Sequence, residues 1–388
     1  MLLTTSRVFD GHQLGGPATL HIEGDRVAAL VPGEVGDDAA GAPPASERGE
    51  TPVELPAGWL VAPGFVDVHC HGGGGASFSD DADGIVQVLA THRAAGTTSS
   101  MASTVTESVD DLCDRARTLA PFAASGELLG MHLEGPWLSP DHRGAHDPAL
   151  LQTPQVAAFD RIQAAAGGAV RMVTLAPELE GGLDLVRHLA ARGIVAAVGH
   201  CDATHEVATQ AFDAGATAAT HLFNAMRGIH HREPGPVTAA LEDERVCIEL
   251  IADGVHLAAP ILSGAMRIAG DRAVLVTDAM AAAGQPDGDY RLGGLAVRVT
   301  DGVARLVEGG AIAGSTLTMA EAVRHCIEQA GVEPQAVLRA ATSAPASMVG
   351  AADVGRLAPG TWADAVVLDE TWTVRGVLRR GQWIRPLG

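Results

Sequence analysis

From Val61 to Asp278 the chain repeats one pattern: a short apolar run, then a longer segment with the period of a helix. Eight such runs can be counted: Gly64–His69, Thr97–Ser103, Leu128–Glu134, Val170–Ala176, Ile194–His200, Ala216–His221, Val246–Asp253 and Ala273–Asp278. Helical segments separate them, among them Asp83–Ala95, Val109–Ala120, Leu183–Arg192 and Thr204–Ala214. Several run into a glycine, as in Ala95-Gly96, Arg192-Gly193 and Ala214-Gly215, the residue that best tolerates the left-handed turn closing a helix. Eight βα units fit an α/β fold of the (β/α)8 TIM-barrel type, whose usual size is about 250 residues. An open doubly wound sheet would call for a G-x-G-x-x-G after its first strand, and that motif is missing there.

The ends of the chain read differently. Ser6–Phe9, Thr19–Ile22 and Arg26–Leu30 alternate like strands, and Gly33–Pro56, rich in Gly, Ala, Pro and acidic residues, reads as a loop or hairpin. After a last helix at Thr316–Gly331, strand patterns return at Ala365–Leu368, Thr373–Leu378 and Gln382–Ile384. The expected organisation is a small β-sandwich domain built from residues 1–60 and 346–388, with the barrel over residues 61–345 between them.

Charge removes several classes of partner and chemistry. All 26 basic residues are arginine, against 47 acidic residues, a formal charge of −21. Without lysine there is no P-loop lysine, no Schiff base and no carboxylated-lysine metal bridge. An acidic chain without basic clusters does not suit nucleic acid or an anionic membrane surface. No apolar run approaches the roughly 18 residues of a membrane span, and the N-terminus lacks a charged segment followed by an apolar one. Cys70, Cys113, Cys201, Cys247 and Cys326 are dispersed, as reduced thiols are. A cytoplasmic protein is the expectation.

Barrel enzymes carry their chemistry at the C-terminal ends of the strands. Run one ends Asp67-Val68-His69-Cys70-His71, and residues i and i+2 of an extended chain share a face. Run three ends on Glu134, run five on His200, run six on His221 and run eight on Asp278. One histidine at a strand end is usually structural; His or carboxylate groups closing five strands of eight point to a metal site. An ion with an open position lowers the pKa of its water, and Asp278 is placed to take and return a proton. Cys70, between His69 and His71, is expected to face the core, and His132 to line the barrel off the metal. His142, His230 and His231 read as solvated loop residues.

Two loops bear on the substrate. His221-Leu222-Phe223-Asn224-Ala225-Met226 contains the only asparagine of the chain, and Arg232 follows in Arg232-Glu233-Pro234-Gly235. Arginine presents a planar donor suited to phosphate. Asp253-Gly254-Val255-His256 closes run seven with an imidazole able to polarise a carbonyl.

Together these segments are similar to those of the amidohydrolase superfamily. Pro63-Gly64-Phe65-Val66-Asp67-Val68-His69-Cys70-His71 resembles its metal-site opening, and Gly355-Arg356-Leu357-Ala358-Pro359-Gly360 its C-terminal β-domain. His132-Leu133-Glu134-Gly135-Pro136, Val198-Gly199-His200, Thr220–Met226, Arg232–Gly235 and Asp253–His256 resemble the N-acetylglucosamine-6-phosphate deacetylases within it. That resemblance implies hydrolysis of the acetamide of an amino-sugar phosphate. It implies Glu134, His200 and His221 as ligands of a divalent metal (zinc, iron or another ion), with His69 and His71 favouring two ions per subunit. It implies Asp278 as general acid and base. Ala145, His146, Asp253, Gly254, Val255, His256, Ile312, Ala313 and Gly314 would line the sugar site. Asn224 and Ala225 would hold the phosphate, and Arg232 would arrive across the interface of a homodimer.

Two other readings compete. A cyclic amidase or nucleobase deaminase would share the barrel, although lysine-bridged members are excluded. A catalytically silent sugar-phosphate-binding protein would share the fold, but would be expected to lack one of the strand-end groups.

Overall fold

A computed structural model describes residues 1–33 and 52–388. The eight runs form eight parallel strands hydrogen-bonded in chain order: Phe65–Asp67, Thr97–Thr104, Gly130–Glu134, Val170–Leu175, Val195–Val198, Ala218–Ala219, Cys247–Ile251 and Ala273–Val276. The first, fifth, sixth and eighth strands stop short of their apolar runs, so His69, His71, His200, His221 and Asp278 stand just beyond them, on the rim. Closure occurs at that rim. The N–H of Asp278 donates to the carbonyl of His69 at 2.9 Å, and Cys70 and Ala279 form a parallel bridge.

Helices cover the barrel: Ala82–Ala94, Val109–Ala124, Val156–Ala165, Gly182–Ala190, His205–Asp213, Gly235–Glu242, Ala259–Ala269 and Met319–Glu328. Asp81, Ser108, Thr204 and Thr318 cap four of them, each side chain accepting a first-turn N–H. The chain does not return to strand directly after the Met319–Glu328 helix, as expected from sequence. Two short helices, Pro334–Ala340 and Ser343–Met348, come first and pack on the first and last barrel strands. A three-stranded antiparallel sheet (Gly288–Leu292, Leu295–Thr300, Val303–Leu306) is inserted after the eighth strand.

The termini build two further sheets. One orders Arg26–Pro32, Ala18–Glu23, Leu2–Thr5 and Val53–Glu54. The Gly33–Pro56 stretch, expected as a loop or hairpin, contributes a strand at Val53–Glu54; residues 34–51 of it lie outside the described residues. The second sheet joins Arg7–Phe9 and Leu60–Pro63 to Ala365–Leu368, Val374–Arg379 and Gln382–Arg385. Its strand Ala365–Leu368 is buried on both faces. Ala365 and Val367 pack with Leu3, Leu20 and Ile22 of the first sheet, whereas Val366 and Leu368 join the barrel core. Two-residue alternation therefore welds the sandwich to the barrel. Among the described residues no helix is long and apolar enough to cross a membrane.

Candidate active site

Three rim residues hold left-handed backbone: His200 (φ 48°), His221 (φ 27°) and Asp278 (φ 47°). For residues other than glycine such conformations cost about 1–3 kcal/mol each and persist only where the surroundings enforce them. They turn each side chain inward at the end of its strand.

Glu134 is the hub. Its Oε1 lies 3.1 Å from His221 Nε2, 3.2 Å from His200 Nε2 and 3.4 Å from His69 Nε2, and its Oε2 lies 3.2 Å from His71 Nε2. Asp278 Oδ1 is 3.2 Å from His71 Nε2 and 3.5 Å from His69 Nε2. The donors fall into two groups that share Glu134: His69, His71, Glu134 and Asp278, and Glu134, His200 and His221. All six are buried.

The donor chemistry fits cations. His69 Nε2 and His71 Nε2 approach to 3.3 Å, and His200 Nε2 and His221 Nε2 to 3.1 Å. Ring nitrogens converge this closely on a shared positive centre. Burial pushes Glu134 upward, but His69 and His200 outweigh it and hold the carboxyl well below its usual range. Asp278 is lowered in the same way, chiefly by His69 and His71 against its burial. Burial disfavours charge on His71, yet hydrogen bonds to Asp278 and Glu134 raise it to about 9. Two buried carboxylates draw positive charge onto the ring nitrogens, the same field that favours divalent ions.

Above the cluster lies a cavity of about 250 Å³, lined by His71, Glu134, His200, His221 and Asp278 together with Ala145, His146, Asn224, Ala225, His256, Ile312 and Gly314. His69 lies beneath it, fully buried. Ala313, Asp253, Gly254 and Val255 do not line it. Asp253 stands behind His256, and His325 packs against Gly254. Arg232, expected to act across a homodimer interface, is exposed on its loop against His231 and does not reach the cavity of its own chain.

His132 is off the donor groups, bonded to Ser103 and Thr174, and its burial keeps it well below the ordinary histidine range. Cys70 is buried beside His92. His142 is not a free loop residue. Its ring meets Asp202 at 3.0 Å, and its carbonyl accepts from His200 Nδ1 at 2.9 Å.

Sequence reasoning missed Gly144, Leu292 and Ala311, which also line the cavity. Leu292 belongs to the inserted sheet, which the Gly293-Gly294 pair inside a strand-like stretch would have signalled. It also missed Glu249, in the middle of the seventh strand, fully buried under His69.

The amidohydrolase family model matches residues 60–384. N-acetylgalactosamine-6-phosphate deacetylase of Escherichia coli O157:H7 is 41% identical over 329 residues, 83% of this chain and 87% of that protein. N-acetylglucosamine-6-phosphate deacetylase of Lysinibacillus sphaericus is 35% identical over 332 residues, 84% and 85% of the two chains. Among solved structures, a variant of N-acetyl-D-glucosamine-6-phosphate deacetylase from Mycobacterium smegmatis, in complex with N-acetyl-D-glucosamine-6-phosphate, is 44% identical. It superposes with a TM-score of 0.92 over 99% of this chain and 98% of that one. With its rim of histidines and carboxylates on an eight-stranded barrel, the chain belongs to the amidohydrolase family.

Proposed function

We propose that the protein is a metal-dependent deacetylase that hydrolyses the acetamide of N-acetylglucosamine 6-phosphate to glucosamine 6-phosphate and acetate. The observation that carries this reading is the position of Glu134, shared between two donor groups on the floor of a cavity that admits one small molecule. Glu134, His200 and His221 would hold one divalent ion, and His69, His71 and Asp278, with Glu134 between, a second. Such ions lower the pKa of water and polarise an amide carbonyl.

The side chains divide the remaining work. Asp278, held ionised, accepts the proton of the attacking water and delivers it to the amide nitrogen as the C–N bond breaks. His256, whose pKa Asp253 raises against its burial, faces the developing negative charge on the carbonyl oxygen. Asn224 braces the turn after the sixth strand, its Nδ2 donating to the carbonyls of His221 and Leu222 at 3.2 and 3.3 Å. Phosphate recognition then falls to backbone N–H groups of that turn and to a guanidinium.

Among the described residues no arginine lines the cavity. Arg232 of a second copy would supply the guanidinium, which makes the working form a homodimer. A cytoplasmic place in amino-sugar metabolism completes this reading.

The test compares acetate release from N-acetylglucosamine 6-phosphate and from unphosphorylated N-acetylglucosamine, in wild type and Arg232→Ala. The phosphorylated sugar is expected to be strongly preferred, with KM raised in the variant. Equal rates on both sugars would remove the phosphate role. The 4-epimer, N-acetylgalactosamine 6-phosphate, belongs in the same assay because the Escherichia coli relative carries that name.

A further inference from the structure

Glu249 lies in the seventh barrel strand, Cys247–Ile251, wholly buried. A buried carboxylate is expensive unless charge and hydrogen bonds compensate it. Its Oε2 meets His69 Nδ1 at 3.0 Å and accepts from the backbone N–H of His221 at 3.3 Å, while Oε1 has no protein partner. The other nitrogen of His69, Nε2, points at His71, Glu134 and Asp278, 3.3–3.5 Å away. One ring thus links a buried carboxylate to the donor group.

The four imidazoles are not supported alike. His200 Nδ1 donates to the carbonyl of His142 at 2.9 Å, and the Nδ1 atoms of His71 and His221 are buried without a protein partner. Of the four, His69 is the one with a carboxylate behind it, and His69 belongs to one donor group, the one with His71 and Asp278.

We propose that Glu249 is a positioning residue for that half of the metal centre: it takes the Nδ1–H of His69, leaves Nε2 as the ligand atom, and sets the affinity of the His69–His71–Asp278 half for its ion. This rests on the two-ion reading above. A carboxylate behind a ligating histidine fixes the tautomer and raises ligand basicity, and its loss typically weakens metal binding about 10–100-fold. In the Glu134–His200–His221 half Glu249 meets the backbone N–H of His221 and neither imidazole, so no ligand nitrogen there depends on it and that half keeps its affinity.

The experiment titrates Co²⁺ into the chelator-stripped full-length protein, following visible absorption and bound metal per chain. Wild type is expected to take up two ions. Glu249→Leu is expected to keep one and bind the other about 10–100-fold more weakly. Glu249→Gln, whose amide oxygen can still accept from Nδ1–H, falls between and guards against a folding defect. Adding Glu249→Leu to His69→Ala costs no further affinity if Glu249 acts through His69. Unchanged binding of both ions in Glu249→Leu, or equal weakening of both, overturns the proposal while leaving two ions standing. A wild-type chain that takes up one ion overturns the two-ion reading and the proposal with it.

Discussion

Asp253 and His256 close on each other at the end of the seventh barrel strand, with Asp253 Oδ2 2.7 Å from His256 Nδ1. The other oxygen accepts from the backbone N–H groups of Val255 and His256 at 2.9 and 2.8 Å. Burial disfavours charge on the ring, but the hydrogen bond and charge of Asp253 outweigh it and raise the pKa of His256. A raised pKa means the cation is present at low pH and is lost as pH rises through the shifted value. Asp253→Asn should therefore move the His256 ring-proton NMR titration to lower pH, and the alkaline fall of kcat with it. An unmoved midpoint would separate the two residues.

Glu134 serves both donor groups, whereas His71 serves one. Glu134→Gln is expected to lower the content of both ions after dialysis, and His71→Ala that of one. Loss of a single ion from Glu134→Gln would mean that the carboxylate is not shared.

Asp278 shares Oδ1 with the His69–His71 group and lines the cavity. Removing a general acid and base costs about 10²–10⁴-fold in rate. Asp278→Asn should lose kcat by that factor with KM changed by a few-fold, while the Glu134–His200–His221 half retains its ion. Steady-state acetate release decides it, and wild-type turnover would take Asp278 out of the reaction.

Glu127 ties the barrel to the β-sandwich. Its carboxylate lies 2.6 Å from Arg93 of the first helix and 3.1 Å from Arg379 of the C-terminal sheet. Burial raises its pKa, but the two guanidiniums outweigh this and hold it below its ordinary 4.5. The sign is that of a depressed carboxylate: its stabilisation is full above 4.5 and disappears as pH falls through the lower folded value. Because the site is about one-third exposed, the pair is worth at most about 1 kcal/mol. Glu127→Gln should melt lower than wild type at pH 7, with the gap closing in acid.

The strand-end residues were legible in the sequence for a physical reason. A parallel barrel strand is buried on both faces and reads as an apolar run, so a His or Asp ending that run stands out against it. Period two by itself puts His69 and His71 on one face. The same pattern hid Glu249, which occupies an inward position in Cys247-Ile248-Glu249-Leu250-Ile251 and differs from its neighbours only in being charged. What it touches, His69, is 180 residues away in the chain. The inserted sheet carrying Leu292 was legible but unread.

The sequence by itself determined the barrel, the two-ended β-domain and the types of donor at the rim, because periodicity and strand ends are local properties of the chain. Tertiary structure alone decided that Asp278 meets His69 and His71 across the closure seam, that Glu134 stands between two donor groups, that Asp253 backs His256 rather than lining the cavity, and that Arg232 stays outside the cavity of its own chain. Each of these depends on which strands become neighbours when the sheet curls shut and on the left-handed turns at its rim, and no local pattern encodes a distance between residues so far apart.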